Sequence, residues 1–469
     1  MDRACPISFT AGTLHQRRRA FDTDSPMTRV FAELAPTAFV LSNARVPAAV
    51  LEADRFFDAA ADANGLLACD IRVDDGRIAA IVPAGAARDG AARLDLDGGM
   101  VLPRLVDAHT HIDKGHIFPR APNPDGTIAG ARGTTMADRE ANWSADDVRA
   151  RMEFALRCAF AHGTGALRTH IDSFGKQTAI SWPVLAEVRA WWKDRIAIQA
   201  VSNYPLFFAL DDEPQFRHIV ELTARHGGIL GGNTFPGEPI RELDKALDRA
   251  FAAAKANGLD LDFHVDESSS EQARSLGAIA QAKVRNKFTG RVTAGHCCSL
   301  SLYGDNERAD IIARVADAGL AVVSLPMVNM YLQDRTGGRT PRWRGIAPLH
   351  ELAAAGVDVM VASDNTRDPF YAYGDLDLIE VFREATRIAH LDHCERPWID
   401  AVTATPAAVM GLDGYGRIAV SRPADLIVTR ARTFNELLSR PQVDRIVLVA
   451  GRQIDTTLPD YRELDGLMM

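Results

Sequence analysis

Six side chains, met in order along this sequence, have the types and spacing of a metal-assisted hydrolytic centre. They are His109 and His111, His264 with Glu267 three residues on, His296, and Asp364. The first pair ends the apolar run Val101-Leu-Pro-Arg-Leu-Val-Asp-Ala-His-Thr-His. Residues two apart on a strand share a face, so both imidazoles converge. Two imidazoles crowded on one side are poorly solvated, and a shared divalent cation resolves this. His264 ends Asp262-Phe-His and Asp364 ends Val361-Ala-Ser-Asp; with the first pair they make a three-histidine-plus-carboxylate set. His296 follows Thr293-Ala-Gly and is either a further ligand or the partner of the attacking water. Four ligands are already present, so the second role is expected, with the imidazole helping to deprotonate water and to stabilise charge at the attacked centre. Glu267 lies beyond a strand end, free to turn back and hand a proton to a ring nitrogen. Cys297 and Cys298 read as packed loop thiols rather than ligands. Gly228-Ile-Leu-Gly-Gly-Asn contains no lysine to bridge a second ion, so one ion is expected.

Residues so far apart meet only if regular elements carry them to one place. Between about 100 and 410, apolar strand-like runs alternate with amphipathic segments of period 3.6. The strand candidates are 100–106, 165–169, 196–201, 228–232, 259–264, 292–296, 321–325 and 357–363. Helical segments include 146–161, 241–257 and 271–286. Eight such units imply a closed parallel barrel whose active site lies at the C-terminal strand ends. All six residues fall at or just beyond such an end. Short strands bounded by Gly and Asp-Gly signals occupy both ends of the sequence, which predicts a small antiparallel β domain. The expected division is 1–35 as a disordered extension, 36–98 with 413–469 as the β domain, and 99–412 as the barrel.

Composition narrows the class. The chain has 469 residues, 47% hydrophobic and 25% charged, as in a globular enzyme. A net charge of −9 and the lack of a basic cluster other than Gln16-Arg-Arg-Arg19, in the expected extension, argue against a nucleic-acid partner. No apolar stretch is long enough to span a membrane. Six cysteines without framework spacing read as reduced thiols, consistent with a cytoplasmic location.

Taken together, the motifs resemble the amidohydrolase superfamily, and within it the cytosine deaminase-like branch. The resemblance runs from about Gly98 to Gly414. It is carried by Ala108-His-Thr-His-Ile-Asp-Lys114, Arg168-Thr-His-Ile-Asp172, His264-Val-Asp-Glu267, Arg291-Val-Thr-Ala-Gly-His296, Pro326-Met-Val-Asn-Met-Tyr-Leu-Gln333, Arg342-Trp-Arg-Gly345 and Ser363-Asp-Asn-Thr-Arg-Asp-Pro369. It implies a distorted TIM (β/α)8 barrel with a small β-sandwich, one Zn²⁺ or Fe²⁺, a homo-oligomer, and hydrolytic deamination of an aminated heterocycle with release of ammonia. Carried over by residue, it implies that His109, His111, His264 and Asp364 hold the metal, and that Asp364 also accepts a proton. Glu267 would shuttle a proton to the ring, and His296 would polarise the attacking oxygen. Asn203, Leu206, Asn365 and Phe370 would line the substrate. The substrate most in keeping is cytosine or a 5-substituted cytosine such as 5-methylcytosine. An N-alkylaminotriazine of the isopropylammelide type, or another ring such as isoguanine, is the alternative. Two departures bear on this: Ser202-Asn-Tyr-Pro-Leu206 lacks the glutamine that cytosine deaminases place there, and Asn365 stands where many carry an aspartate. Changed polar groups in a buried site imply a changed ring.

Overall fold

The computed structural model describes residues 38–52, 60–87, 91–234, 239–394 and 396–468. The alternating central text folds as an eight-stranded sheet. Its strands, in chain and spatial order, are Leu105–Thr110, Thr164–Asp172, Ala197–Asn203, Ile229–Leu230, Leu261–Val265, Val292–His296, Ala321–Ser324 and Asp358–Val361. Every neighbouring pair is parallel. Amphipathic helices such as Ala145–Ala161, Leu243–Asn257 and Ser275–Arg285 connect them. With helices covering the outside, most strand residues are buried on both faces. The ring closes where Thr110 meets Asp364 in an isolated parallel bridge and the Asp364 amide donates to the His109 carbonyl at 2.8 Å. The fold is therefore the (β/α)8 barrel that the pattern predicts.

The first strand candidate divides in two. Val101–Pro103 pairs antiparallel with Leu426–Val428 outside the barrel, and only Leu105–Thr110 enters the ring. The reason is local. Pro103 has no N–H to continue a ladder, and Arg104 turns the chain by donating to the carbonyls of Thr164 and Arg195 at the barrel's lower rim.

Outside the ring, Ala38–Pro47, Leu66–Asp74 and Arg77–Pro83 form an antiparallel meander. Ala92–Asp95 joins Ala38–Pro47 in parallel, where a wholly antiparallel layer is expected from sequence. A second sheet joins Val101–Pro103 to Leu426–Val428, Ile446–Val449 and Arg452–Gln453. We propose that these sheets form one small domain drawn from both chain ends, with Val101–Pro103 added to it. The expected extension over 1–35 lies outside the described residues.

A buried ion pair fastens this outer layer to the barrel. Asp377 caps the helix Leu378–Ala389 and accepts from Arg445 at 2.7 Å, with both side chains nearly buried. Burial alone would raise the Asp377 carboxyl, but Arg445 holds it below the usual range. Asp377→Ala leaves a buried guanidinium without its partner, so it should cost about 3–5 kcal/mol. A thermal or denaturant melt with little loss would contradict this.

Candidate active site

The C-terminal mouth of the barrel gathers the histidines. His109 lies one residue before the end of the first strand, and its ring centroid lies 5.2 Å from that of His111, 4.7 Å from His264 and 5.3 Å from His296. Such closeness needs room on strand six. A Cβ at Gly295 would lie 3.1 Å from His109 Cε1 and 3.2 Å from Nδ1, so a glycine there lets backbone and imidazole meet. The strand-end turns take left-handed backbone at Asp266 (φ 48°), His296 (69°), Cys297 (52°) and Asp364 (62°). Non-glycine residues hold this conformation at a cost of about 1–3 kcal/mol each, typically at functional sites. Asp266 shows how it is held: its carboxylate accepts from the amides of Ser275 and Leu276 at 3.1 Å. That anchor turns Glu267 back toward the cavity.

The polar atoms at the mouth are suited to a cation. The His111 Nδ1 lies 3.2 Å from the His170 carbonyl and so carries the proton, which leaves its Nε2 as an acceptor. That Nε2 lies 3.2 Å from His264 Nε2 and 3.2 Å from Asp364 Oδ1, and His109 Nε2 is 3.6 Å from the same oxygen. Among the described residues, both ring nitrogens of His109, Nδ1 of His264 and both carboxylate oxygens of Asp364 are buried without a hydrogen-bond partner. Buried polar atoms are normally paired, and one nitrogen each of His109, His111 and His264 lie close enough together, with Asp364 beside them, to fit one divalent ion. Burial, reinforced by neighbouring imidazoles or cations, pushes His109, His111 and His264 well below the ordinary histidine range. All three are therefore neutral and ready to ligate. Burial, then the Glu267 charge, pushes Asp364 well above the usual carboxylate range, which is the field a cation would relieve. His109, His296 and Asp364 also cluster closely enough to hold an ion, as do His109, His170 and Asp262. The last group is the poorer cation site, because Arg168 Nη1 is 2.7 Å from Asp262 Oδ2.

Glu267 is nearly buried, with Oε1 3.6 Å from His296 Nδ1. Both line a cavity of about 410 Å³ together with His111, His264, Asn203, Asn365 and Phe370. Asn203 donates its amide to Asp172 at 3.3 Å and Asn365 donates to Asp368 at 2.6 Å. A carboxylate only accepts, so each asparagine keeps its carbonyl oxygen to accept from a ligand. Leu206 does not reach the cavity: it is wholly buried and packs near Gly232. The chain turns at Pro205 into the short helix Phe208–Asp211, which aims Phe207 and Phe208 inward instead. Cys297 and Cys298 are buried, and burial pushes both thiols well up, away from thiolate.

Several residues in or beside the cavity escape the sequence reading. Lys114 lies 3.5 Å from Asp172 Oδ1 and 5.1 Å from the centre of the Phe370 ring. Burial would lower it, but Asp172 and Asp113 outweigh that and hold it raised. The helix Ile128–Asn142, inserted after the first strand, brings Arg132 and Arg139 over the cavity. Arg139 pairs with Asp172 at 3.1 Å and stacks over Phe174 at 4.0 Å. His170 stacks on His109 with centroids 3.9 Å apart. The Arg168-Thr-His-Ile-Asp172 and His-Ile-Asp-Lys114 motifs contain three of these residues, so a signal was present without an assigned role.

Known proteins carry the same pattern. The model of the Amidohydrolase family matches residues 205–455. A pterin deaminase of Rhizobium rhizogenes (strain K84 / ATCC BAA-868) is 55% identical over 430 residues, covering 92% of this chain and 97% of that protein. The N-isopropylammelide isopropyl amidohydrolase of Pseudomonas sp. (strain ADP) is 26% identical, over 71% of this chain and 81% of its own. The crystal structure of 5-methylcytosine deaminase from Klebsiella pneumoniae, liganded with 5-fluorocytosine, superposes with a TM-score of 0.74 at 23% identity. It covers 90% of this chain and 98% of that one, a likeness of fold. None of the described helices is long and apolar enough to cross a membrane. Barrel, buried histidine–aspartate cluster and near full-length relative agree: the chain belongs to the amidohydrolase family and is a hydrolase of carbon–nitrogen bonds.

Proposed function

We propose that this enzyme hydrolyses the 2-amino group of a pterin, releasing ammonia and leaving the 2,4-dioxo ring. The observation that carries this is the 55% identity to a pterin deaminase over nearly the whole of both chains. Cytosine and 5-methylcytosine, the expectation from sequence, have in their favour neighbours of 23% identity, so the pterin takes precedence. The cavity supports the choice. Its volume of about 410 Å³, lined by Phe174, Phe207, Phe208 and Phe370, suits a flat two-ring system, which aromatic side chains hold by stacking. The acceptor oxygens left on Asn203 and Asn365 suit an edge rich in N–H groups, such as the amino and N3–H of a pterin.

In this reading His109, His111, His264 and Asp364 hold one divalent ion, Zn²⁺ or Fe²⁺. Bound there, such an ion lowers the pKa of water enough to supply the nucleophile near neutrality. The protein's own groups do the rest. Glu267, a carboxylate at rest, takes one proton of the incoming water and delivers it to the ring nitrogen beside C2. Asp364 takes the other as the new C2–O bond becomes a carbonyl and passes it to the amino group, whose bond to C2 breaks to release ammonia. His296 donates toward the oxygen that joins C2. The aromatic walls fix the ring plane, and the buried mouth excludes bulk water. The partner is thus a small heterocycle, and we infer a homo-oligomer from the family resemblance.

Ammonia release is the test. The metal-loaded chain should turn over pterin at least about 100-fold better in kcat/KM than cytosine or 5-methylcytosine, since a polar site rejects a ring that leaves its groups unpaired. An enzyme that prefers either pyrimidine, or that releases isopropylamine from N-isopropylammelide, would displace the pterin reading.

A further inference from the structure

One buried side chain links the two groups assigned to proton handling, yet has no role above. Asn329 lies on the short helix Pro326–Leu332 that follows the seventh barrel strand, and it is fully buried. Its Nδ2 lies 3.0 Å from His296 Nδ1 and 3.4 Å from Glu267 Oε1. We propose that Asn329 is a positioning residue that fixes His296 as the tautomer with its proton on Nε2, making it a hydrogen-bond donor to the reacting atoms and neither a metal ligand nor a base.

The assignment follows from what each atom can do. A carboxylate only accepts, so the face of the amide turned to Glu267 is its NH₂. The same NH₂ meets His296 Nδ1, which must then accept. A neutral imidazole with an accepting Nδ1 carries its proton on Nε2. An Nδ1 that accepts from the amide carries no proton, so this imidazole is the neutral form. Its Nε2 has no hydrogen-bond partner among the described residues, and its ring lines the cavity. A ligand would need the lone pair on Nε2, so the cluster His109–His296–Asp364 is ruled out as an ion site. The set of His109, His111, His264 and Asp364 is left. The bridging amide also has a specific task. Glu267 Oε1 stands 3.6 Å from His296 Nδ1 and, without the intervening NH₂, would draw the imidazole proton to Nδ1. The tautomer would then reverse, and the donor facing the cavity would become an acceptor.

The inference rests on the deaminase reading, and its test separates the two. In the full-length, Zn²⁺-loaded chain with ¹⁵N-labelled histidine, two-bond ¹H–¹⁵N correlation spectra distinguish the tautomers, and His296→Gln assigns the resonance. An Nε2–H pattern is expected; an Nδ1–H pattern, or an imidazolium at the assay pH, overturns the inference whatever the substrate. A double-mutant cycle on ammonia release from pterin gives the second reading. Asn329→Leu and His296→Gln should each lower kcat about 100-fold, with KM nearly unchanged and metal per chain unchanged. The double variant should be no slower than His296→Gln alone, because Asn329 acts through that imidazole. Additive losses, or metal lost from His296→Gln, would overturn the inference. Wild-type enzyme inactive on pterin would instead sink the function reading and leave the tautomer result standing.

Discussion

His109→Ala is expected to weaken metal binding by well over about 100-fold and to abolish ammonia release. Partners one shell further out are by themselves worth about 10–100-fold in affinity, and His109 sits inside that shell. Its two ring nitrogens are buried without a hydrogen-bond partner among the described residues, and its ring contacts those of His111, His170, His264 and His296. Because burial keeps these imidazoles neutral, the wild-type set binds an ion at neutral pH with little loss of protons. Metal analysis of the purified variant, beside a melt showing that it is folded, decides the matter. A folded His109→Ala protein with a full complement of metal would mean that the ion sits elsewhere.

Glu267→Gln should behave in the opposite way, keeping its metal and losing about 10³-fold in kcat. Glutamine preserves shape and can still accept from Asn329, so the turn held by Asp266 has no reason to change. What it lacks is a proton to give and take. KM should therefore move little, since the loss falls on the transition state. A variant that turned over pterin near the wild-type rate would remove the proton shuttle from the proposal.

Which parts of this were legible in the sequence follows from physics. Chain order and the two-residue strand period bring His109, His111, His264, His296 and Asp364 to one end of the barrel, and the structure gathers all five there. Beyond a strand end there is no period to follow. Leu206 therefore looked like a cavity residue, although the turn at Pro205 buries it and presents Phe207 and Phe208. Asn329 was hidden for a similar reason: an asparagine on a short helix has no alternation to show which way it faces. Arg132 and Arg139 belong to an inserted helix, whose docking over the cavity is a tertiary fact. The split at Pro103 was open to inspection, because a residue without an N–H cannot sit inside a continuing ladder.

The bridge between Thr110 and Asp364 gives the barrel a seam, and its position has mechanical meaning. The barrel meets itself where the first and last strands touch, and the candidate ion ligands come from both lips: His109 and His111 from one, Asp364 from the other. An ion gripped there would work as a rivet between chain segments very distant in sequence. Cross-links that close long loops restrict the unfolded chain most. In the proposed enzyme one ion would thus serve both the chemistry and the closure of the ring. The backbone already stitches this seam, with the Asp107 carboxylate accepting from the Ser363 amide at 3.1 Å and the His116 and Phe118 amides donating to the Thr366 and Arg367 carbonyls, so an ion would add its grip to a ring that is closed without it.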